Sequence, residues 1–475
     1  MANTTTSIVT FSVLSPDTSL SYDRIKLRLE EYRTLLASGS DTIELSTENG
    51  KTVICRKRAK EMEEFLDQAE ILLRDVVQSR DMSTLVVLHH LRDLTEILDK
   101  LQLHDECRLT GDCALGLAEA LGRRSLEFRQ EQADIFVLIA GLTVYQPRAR
   151  TLFIRAVSIC EEVVDNDGSH SNKKKLLDVL GSAGTWASGS PGALGAQWLE
   201  SAVQLMANEL PPSMVHHDCR RAIYYNYGNC LSSLNQHANA TMAYRESLSS
   251  CRILVNNNPV KYKYRIARTL MYMASTFDDL GQYEAAIVAF QEVLDIGVAM
   301  SAQDPLQFNE LMARTLINYG ITLGNLNRFS EAAEMQKEAA LFYRKPAPTG
   351  REWEWTRQLY SALYFYGSSC YSLGEHAEAV LAYQESIVLQ RTRASTHPQE
   401  EVDLARALHN IANSFNALGN RVEANAAAIE ALQRNHGRVF EPCIPPSNLM
   451  SCLVCQRVMT GEYGRGTRPR VVPRE

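Results

Sequence analysis

The sequence lacks the features that would place this chain in a membrane or on a nucleic acid. None of its 475 residues falls in an uninterrupted apolar run near the roughly 18 residues that a membrane-spanning helix needs. Residues 1–20 have neither a basic start nor a long apolar stretch, so we expect no signal peptide. Lys and Arg number 49 against 56 Asp and Glu, and the net charge of -7 argues against general affinity for nucleic acid or membrane surfaces.

Signs of a disulfide framework and catalytic motifs are also missing. The eleven cysteines are an odd number and are scattered singly, as at Cys230, Cys251 and Cys370, so we expect no disulfide framework and a reduced, cytoplasmic location. No HExxH, serine elbow, Walker lysine or kinase signature occurs. The sequence therefore predicts that the chain is not an enzyme, has no catalytic residues and uses no cofactor.

Two stretches resemble ligand sites only superficially. Cys443, Cys452 and Cys455, with His436 upstream, contain one CxxC pair of the kind that zinc knuckles use. The second pair, His436 and Cys443, is too widely spaced, and we predict no metal site. The glycine-rich run from Gly181 to Gly195 lacks the Lys-Ser/Thr of a phosphate-binding loop. We interpret this run as a connection between two helices.

What the sequence has instead is one helix-turn-helix unit, repeated at a nearly constant interval. In residues 268–294, apolar residues recur at i, i+3, i+4 and i+7 on both sides of Leu280-Gly281, which predicts two amphipathic helices and a tight turn. A small residue on each second helix recurs at spacings of 46, 46, 47 and 45 residues, at Ala240, Ala286, Ala332, Ala379 and Ala424.

Two further sets of residues recur at the same positions of each repeat. Each turn carries Gly or Asn, the residues that best tolerate a left-handed backbone, at Asn235, Gly281, Asn327, Gly374 and Gly419. Seven residues earlier stands a small residue, where the two helices must approach closely, at Gly228, Ala274, Gly320, Gly367 and Ala412. Stepping backwards by the same interval reaches Gly195, Ala149 and, more loosely, Cys107, which indicates about three eroded units before the five clear ones.

This pattern resembles the tetratricopeptide repeat family, although its period is about 12 residues longer than the usual 34. In this it is similar to kinesin light chains and to long arrays in basidiomycete fungal proteins. The resemblance implies an all-α, right-handed superhelical solenoid whose concave face, lined by the first helices, holds a peptide of a partner. It implies a non-enzymatic scaffold or adaptor that binds a protein or peptide, including one with acidic groups, and not nucleic acid or membrane.

The remaining regions are assigned from local signals. Asn49-Gly50 lies between two alternating runs in residues 42–55 and predicts a β-hairpin. We therefore expect residues 1–80 to form a small α+β cap on the repeats; a solvent-exposed flap is the alternative. The other boundaries are 82–220 for the degenerate repeats, 221–435 for the clear repeats and 436–475 for a proline-containing tail that we expect to be disordered.

One column of polar and aromatic residues is expected to face the concave side. Asparagine can bond both the N–H and the C=O of an extended peptide, and aromatic rings between them can form apolar pockets. The predicted peptide-binding residues are Asn226, Asn229, Arg268, Tyr272, Arg314, Asn318, Phe365, Arg406, Asn410 and Asn413. Family members that clamp a carboxylate use a lysine column as well, but the corresponding residues here are Tyr225, Met271, Ile317, Tyr364 and His409, which disfavours such a clamp.

Two alternatives stay open at this point. The Asn and Arg side chains can instead join adjacent helices, with no role in binding. The array can also be the sensor or regulatory half of an enzyme or signalling system whose effector domain lies on another chain.

Overall fold

The structure is a computed structural model, and its helices account for nearly all of the residues it describes. Besides residues 25–27, 29, 30 and 33, the described ranges are 42–47, 50–55, 64–72, 84–101, 103–121, 126–143, 146–188, 193–211, 215–394 and 398–434. The chain divides into two compact units, residues 1–230 and 231–475, which are described separately. In the part of the chain that is described, no helix has the length and apolar character needed to cross a membrane.

The first unit begins with a short antiparallel hairpin. Strands β1 (Thr42–Thr47) and β2 (Gly50–Cys55) pair with Thr42 opposite Cys55 and Thr47 opposite Gly50, so the hairpin predicted around Asn49-Gly50 is present. The wider prediction of an α+β cap gains no support, because side-chain burial in the hairpin lies outside the described residues. The described side chains that cover the first repeat helix are helical: Leu66 and Ala69 pack against it.

Three helical hairpins follow in the first unit. Their helices are α1 (Thr84–Lys100), α2 (His104–Leu121), α3 (Leu126–Leu142), α4 (Gln146–Asn166), α5 (His170–Ala187) and α6 (Ala193–Asn208). The residues found by stepping backwards along the repeat, Cys107, Ala149 and Gly195, lie on the second helices α2, α4 and α6. Helix α7 (His217–Ser233) spans the boundary between the units.

The glycine-rich run differs from its interpretation as a connection. Helix α5 continues through Gly181 and Gly184 to Ala187, and α6 begins at Ala193. A Cβ atom on Gly184 would lie 2.3 Å from the Leu199 side chain of α6. The glycine therefore allows two helices to touch and does not form a loop.

The second unit contains the clear repeats. Its helices are α8 (His237–Leu254), α9 (Pro259–Asp279), α10 (Tyr283–Met300), α11 (Pro305–Asn325), α12 (Phe329–Tyr343), α13 (Glu352–Leu373), α14 (His376–Ala394), α15 (Pro398–Ala417) and α16 (Arg421–Arg434). Successive helices from α8 to α16 pack against each other, and first helices also contact the next first helix, as α9 does α11. The core of this unit therefore lies between neighbouring hairpins.

The turn and small-residue columns act as the sequence predicts. The turn residues have positive φ throughout, at Asn235, Gly281, Asn327, Gly374 and Gly419. A Cβ atom on Gly320 would lie 2.7 Å from the Gln336 side chain, and one on Gly367 would lie 2.9 Å from Tyr383. Close approach of the first and second helix therefore excludes a larger side chain at these positions.

The long period is accounted for by long helices. Helix α9 has 21 residues and α10 has 18, so each extends beyond the helices of a 34-residue unit. Proline at the first position and a capping side chain begin the first helices: the Asn258 amide oxygen accepts from the backbone N–H of Lys261, and Asp304 accepts from Gln307.

Candidate peptide-binding site

The predicted site residues occupy first helices in both units. Asn226 and Asn229 lie on α7 in the first unit. In the second unit the predicted residues are Arg268 and Tyr272 on α9, Arg314 and Asn318 on α11, Phe365 on α13, and Arg406, Asn410 and Asn413 on α15. The column thus lies on one series of helices, as the repeat register requires.

The asparagine amides of this column reach towards the preceding first helix. Asn318 Nδ2 donates to Ser275 Oγ at 3.4 Å, and Asn410 Nδ2 donates to the Tyr364 hydroxyl at 3.0 Å. In the first unit, Asn226 Nδ2 donates to Thr185 Oγ1 at 2.7 Å. These nitrogen atoms join neighbouring helices, as expected from the alternative in which the Asn side chains hold adjacent helices together.

The three arginines have different surroundings. Arg314 Nη2 donates to the Tyr272 hydroxyl at 3.3 Å, which brings two predicted residues together across α9 and α11. The Arg268 guanidinium lies 6.0 Å from the centre of the Tyr264 ring. Arg406 is half exposed and pairs with Asp403 of its own helix at 3.3 Å. The arginines therefore do not converge on one point.

The charge of Arg314 is maintained despite its surroundings. Burial by itself lowers the pKa of this guanidinium, but Tyr272, Tyr343 and Glu310 together outweigh burial and hold the pKa above its ordinary value. Arg314 is therefore a permanent cation beside an aromatic hydroxyl, able to attract an acidic group of a ligand.

The inner face of α15, formed by His409, Asn410 and Asn413, is the most unusual part of the column. These residues are buried, with 4%, 5% and 4% of their surface exposed. Both amide atoms of Asn413 and the Oδ1 atom of Asn410 have no hydrogen-bond partner within the described structure. A buried polar group without a partner costs about 1 to 3 kcal/mol, so these atoms are the candidates on this face for hydrogen bonds to a ligand or to water.

Aromatic side chains of α13 flank this polar face. The rings of Tyr364 and Phe365 meet edge to face at 5.2 Å, and Tyr364 also lies 5.9 Å from Tyr383. Because the Tyr364 hydroxyl accepts from Asn410, the aromatic and polar parts are in direct contact. The arrangement can take one backbone amide group and one apolar side chain of an extended peptide.

A charged cavity of about 330 Å³ in the first unit is a weaker candidate. Buried Glu131 accepts from Arg92 Nη1 at 2.8 Å and lies 2.9 Å from His89 Nε2, while Lys175 pairs with Asp134. Burial raises the pKa of Glu131 even though Arg92 and His89 oppose the rise. The charges of this cavity satisfy one another, so it has no evident requirement for a ligand.

Metal binding has no support from the described residues. No group of three or more His, Cys, Asp or Glu side chains in that part of the chain is placed to hold a metal ion. The cysteines that suggested a zinc knuckle, Cys443, Cys452 and Cys455, lie outside the described residues.

Sequence reasoning missed the partners of the asparagines. Thr185, Ser275 and Tyr364 accept the interhelical hydrogen bonds at separations of 41, 43 and 46 residues, so no single register identifies them. It also missed the deep burial of His409. Register was a usable signal for that burial, because the equivalent residues Tyr225, Met271 and Ile317 are buried as well, and only Tyr364 is half buried.

With the hairpins and the site described, the chain falls in the class of helical-repeat proteins. A tetratricopeptide repeat family model matches residues 222–252 and 267–296, so the chain contains tetratricopeptide repeats. The matched segments correspond to the first helices α7 and α9 together with parts of their second helices. No curated protein matches the sequence.

Several solved structures are similar to the chain. A putative kinesin light chain repeat protein from Podospora anserina is 14% identical, with a TM-score of 0.34, covering 45% of this chain and 93% of that one. A signal-transduction ATPase with a tetratricopeptide repeat sensor from Pyrococcus horikoshii is 13% identical, with a TM-score of 0.47, covering 88% and 63%. NprR in complex with its cognate peptide NprX is 13% identical, with a TM-score of 0.40, covering 84% and 97%. At these scores the similarities support no statement about function.

Proposed function

We propose that the protein is a non-enzymatic adaptor that binds an extended peptide segment of a partner protein along the first helices of its second unit. The observation that carries this proposal is the inner face of α15, where the buried Asn413 amide and Asn410 Oδ1 lack partners in the described structure. An extended backbone offers a donor and an acceptor side by side, which matches the donor and acceptor of one asparagine amide.

The surroundings favour a peptide with one apolar and one acidic group. Tyr364 and Phe365 provide an apolar wall beside the amides. Arg406, whose side chain is half exposed, and Arg314 provide positive charge along the same series of helices. Hydrogen bonds to a charged ligand group contribute about 1.5 to 3 kcal/mol each, which is enough to choose between peptides.

We place the protein in the cytoplasm, because its eleven cysteines are an odd number and do not suggest a disulfide framework. Its ligand is neither nucleic acid nor membrane, because the net charge is -7. A regulatory role, as the sensor half of a system whose effector lies on another chain, would use the same surface. Identifying a captured partner that carries a nucleotide-binding or protease domain would favour this version.

The test is selection of peptides from a displayed library on the full chain, followed by affinity measurements on Asn413→Leu. Leucine has a similar volume and needs no hydrogen bond, so the fold should be kept while peptide affinity falls at least tenfold. Ser275→Ala is the matched control, because Ser275 occupies the same place in the repeat on α9 and bonds Asn318. Equal affinity for Asn413→Leu and the unaltered chain would refute binding at this face.

A further inference from the structure

Helix α10 lies in a stretch of the chain that has no positive charge. No Lys, Arg or His occurs between Arg268 and Arg314, whereas seven acidic residues do: Asp278, Asp279, Glu284, Glu292, Asp295, Asp304 and Glu310. Four of them bond or pair with groups of the protein itself, namely Asp278, Asp279, Asp304 and Glu310. The other three lie on α10 and are exposed, so the negative charge of this helix faces solvent.

Exposed glutamates of α12 enlarge this acidic surface. Glu334 and Glu338 lie one helical turn apart, and both are exposed. Lys337 lies between them in the sequence, but its Nζ atom is directed to the Tyr366 ring of α13, 5.7 Å from the ring centre. In the described part of the chain, no cation forms an ion pair with Glu292, Asp295, Glu334 or Glu338.

Aliphatic side chains are exposed beside these carboxylates. Val298 of α10 is 71% exposed, and Leu341 of α12 is 54% exposed. The two helices are neighbours, because both pack against α11 and Leu294 of α10 joins the same core cluster as Ala339 of α12. The surface that combines both kinds of residue, called here the outer acidic face, consists of Glu292, Asp295, Val298, Glu334, Glu338 and Leu341.

The valine of this face is a departure from the repeat. Arg252, Arg344 and Arg391 occupy the repeat position of Val298 in three other units. Arg344 and Arg391 each pair with a glutamate of the next second helix, at 2.6 Å and 2.8 Å. Because valine cannot do so, Glu338 has no such partner and stands beside an aliphatic side chain. The outer acidic face therefore differs in charge and in polarity from the two second-helix contacts that follow it.

Helix ends add to the negative potential of this face. Carbonyl groups at a helix C-terminus carry partial negative charge, which Lys or Arg in the last turn commonly offsets. The last turns of α10 and α12 contain no basic residue. A ligand of this face is therefore selected for positive charge, because an acidic ligand is repelled.

We propose that the outer acidic face binds a basic amphipathic helix of a partner protein. Neighbouring helices leave a groove between their exposed side chains, and a third helix can place its own row of apolar side chains there. Lys and Arg suit the edges of this groove, because their stems can cover Val298 and Leu341 while their charged ends reach Glu334 and Glu338. This surface lies on second helices, so its ligand is distinct from the peptide proposed for the first helices.

The test uses a synthetic helical peptide of about 18 residues with Leu on one face, Lys on both flanks and Ala elsewhere. Its affinity for the full chain is measured by fluorescence anisotropy. Glu334→Lys combined with Glu338→Lys should weaken binding at least tenfold, because two attractive charges become repulsive. The matched control is Glu161→Lys combined with Asp165→Lys, which reverses two exposed acidic residues at the same spacing on α4 and should change the affinity little.

Two further measurements locate the peptide and test its shape. A photoreactive leucine in its apolar face should cross-link to residues 291–299 and 334–341. A peptide of the same composition, with its leucines spread around the helix, should bind at least tenfold more weakly, because it cannot present one apolar face. Val298→Arg is a second, milder variant and should also weaken binding, because it places a cation beside Glu338.

Several results would overturn the inference. These are unchanged affinity in both α10 and α12 variants, an equal loss in the α4 control, equal binding of the two peptides, and cross-links confined to other helices.

Discussion

At the residue scale, the structure separates the amide atoms of the asparagine column by their hydrogen bonds. The Nδ2 atoms of Asn318 and Asn410 join adjacent first helices, while Asn410 Oδ1 has no partner in the described structure. A single side chain therefore joins two helices through its nitrogen, and under the proposed function its oxygen accepts from the peptide.

Replacing these asparagines should destabilise the protein in a definite order. Asn410→Ala removes a 3.0 Å bond from a residue that is 5% exposed, so we expect a loss of about 1 to 2 kcal/mol in the free energy of unfolding. Asn318→Ala removes a 3.4 Å bond at a half-buried residue, and a loss of about 0.5 kcal/mol is expected. Urea unfolding of both variants measures this. Equal losses would show that the interhelical bonds are not what stabilises these positions.

At the element scale, the contact between first and second helices depends on glycine at one position and not at another. A Cβ atom on Gly320 would lie 2.7 Å from Gln336, whose Oε1 accepts from Ser369 Oγ at 2.7 Å. Adding a methyl group there moves Gln336 and disturbs a buried hydrogen bond between α12 and α13. The same helix contains Gly324, where an added Cβ meets nothing within 4 Å.

These two glycines form a matched pair of substitutions. Gly320→Ala should lower the free energy of unfolding by about 1 to 3 kcal/mol, because overpacking outweighs the better helix propensity of alanine. Gly324→Ala should raise it by up to about 1 kcal/mol, because only the propensity changes. Thermal or urea unfolding compares them directly. A stabilising Gly320→Ala would contradict close packing between α11 and α12.

Two ion pairs join neighbouring second helices of the second unit in the same register. Six residues after the small alanine, each second helix carries a glutamate, at Glu246, Glu292, Glu338, Glu385 and Glu430. Arg344 pairs with Glu385 at 2.6 Å and Arg391 with Glu430 at 2.8 Å, each across one unit. The repeat position of Arg344 and Arg391 is occupied by Val298 in the unit that precedes Glu338. Val298 is 71% exposed.

Val298→Arg should therefore add an ion pair with Glu338. Exposed pairs contribute about 0.2 to 1 kcal/mol and weaken in salt, so the gain should be small and should largely vanish at about 1 M NaCl. Val298→Gln controls for removal of an exposed apolar side chain. If the arginine and glutamine variants unfold at the same temperature in low salt, the register does not bring residues 298 and 338 together.

At the scale of the whole molecule, both units contain cysteines that lie in the core. Cys107, Cys160 and Cys370 are buried free thiols, and burial raises their pKa to about 12, about 11 and about 11. Unfolded thiols ionise near pH 8.5. The folded state holds these protons more tightly, so the stability they contribute is present below about pH 8.5 and is lost as the pH rises towards 11.

Two measurements check this behaviour. The melting temperature in the presence of reductant should fall between about pH 9 and pH 11. Alkylation at pH 8, followed site by site with mass spectrometry, should be slow at Cys107, Cys160 and Cys370 in the native protein and fast in guanidinium. Rapid native alkylation at these sites would show that the hairpins open frequently or that the thiols are not buried.

The sequence by itself determined the repeat, its register and its turns. Positive φ at Asn235 and Gly281, close contact at Gly320 and the hairpin at residues 42–55 all follow from steric rules that act over a few residues. Such rules can be applied to a sequence directly. The class of fold and the series of helices that carries the candidate site were therefore predictable.

Only the tertiary structure decided which atoms of that column are already bonded. Asn410 meets Tyr364 across 46 residues, and the register cannot say which way its amide points. The burial of Asn413 without a partner, and the continuation of α5 through Gly184, likewise depend on neighbours that are distant in sequence. Hydrogen bonding and packing act over a few ångströms in space, so they become visible only after the chain has brought those residues together.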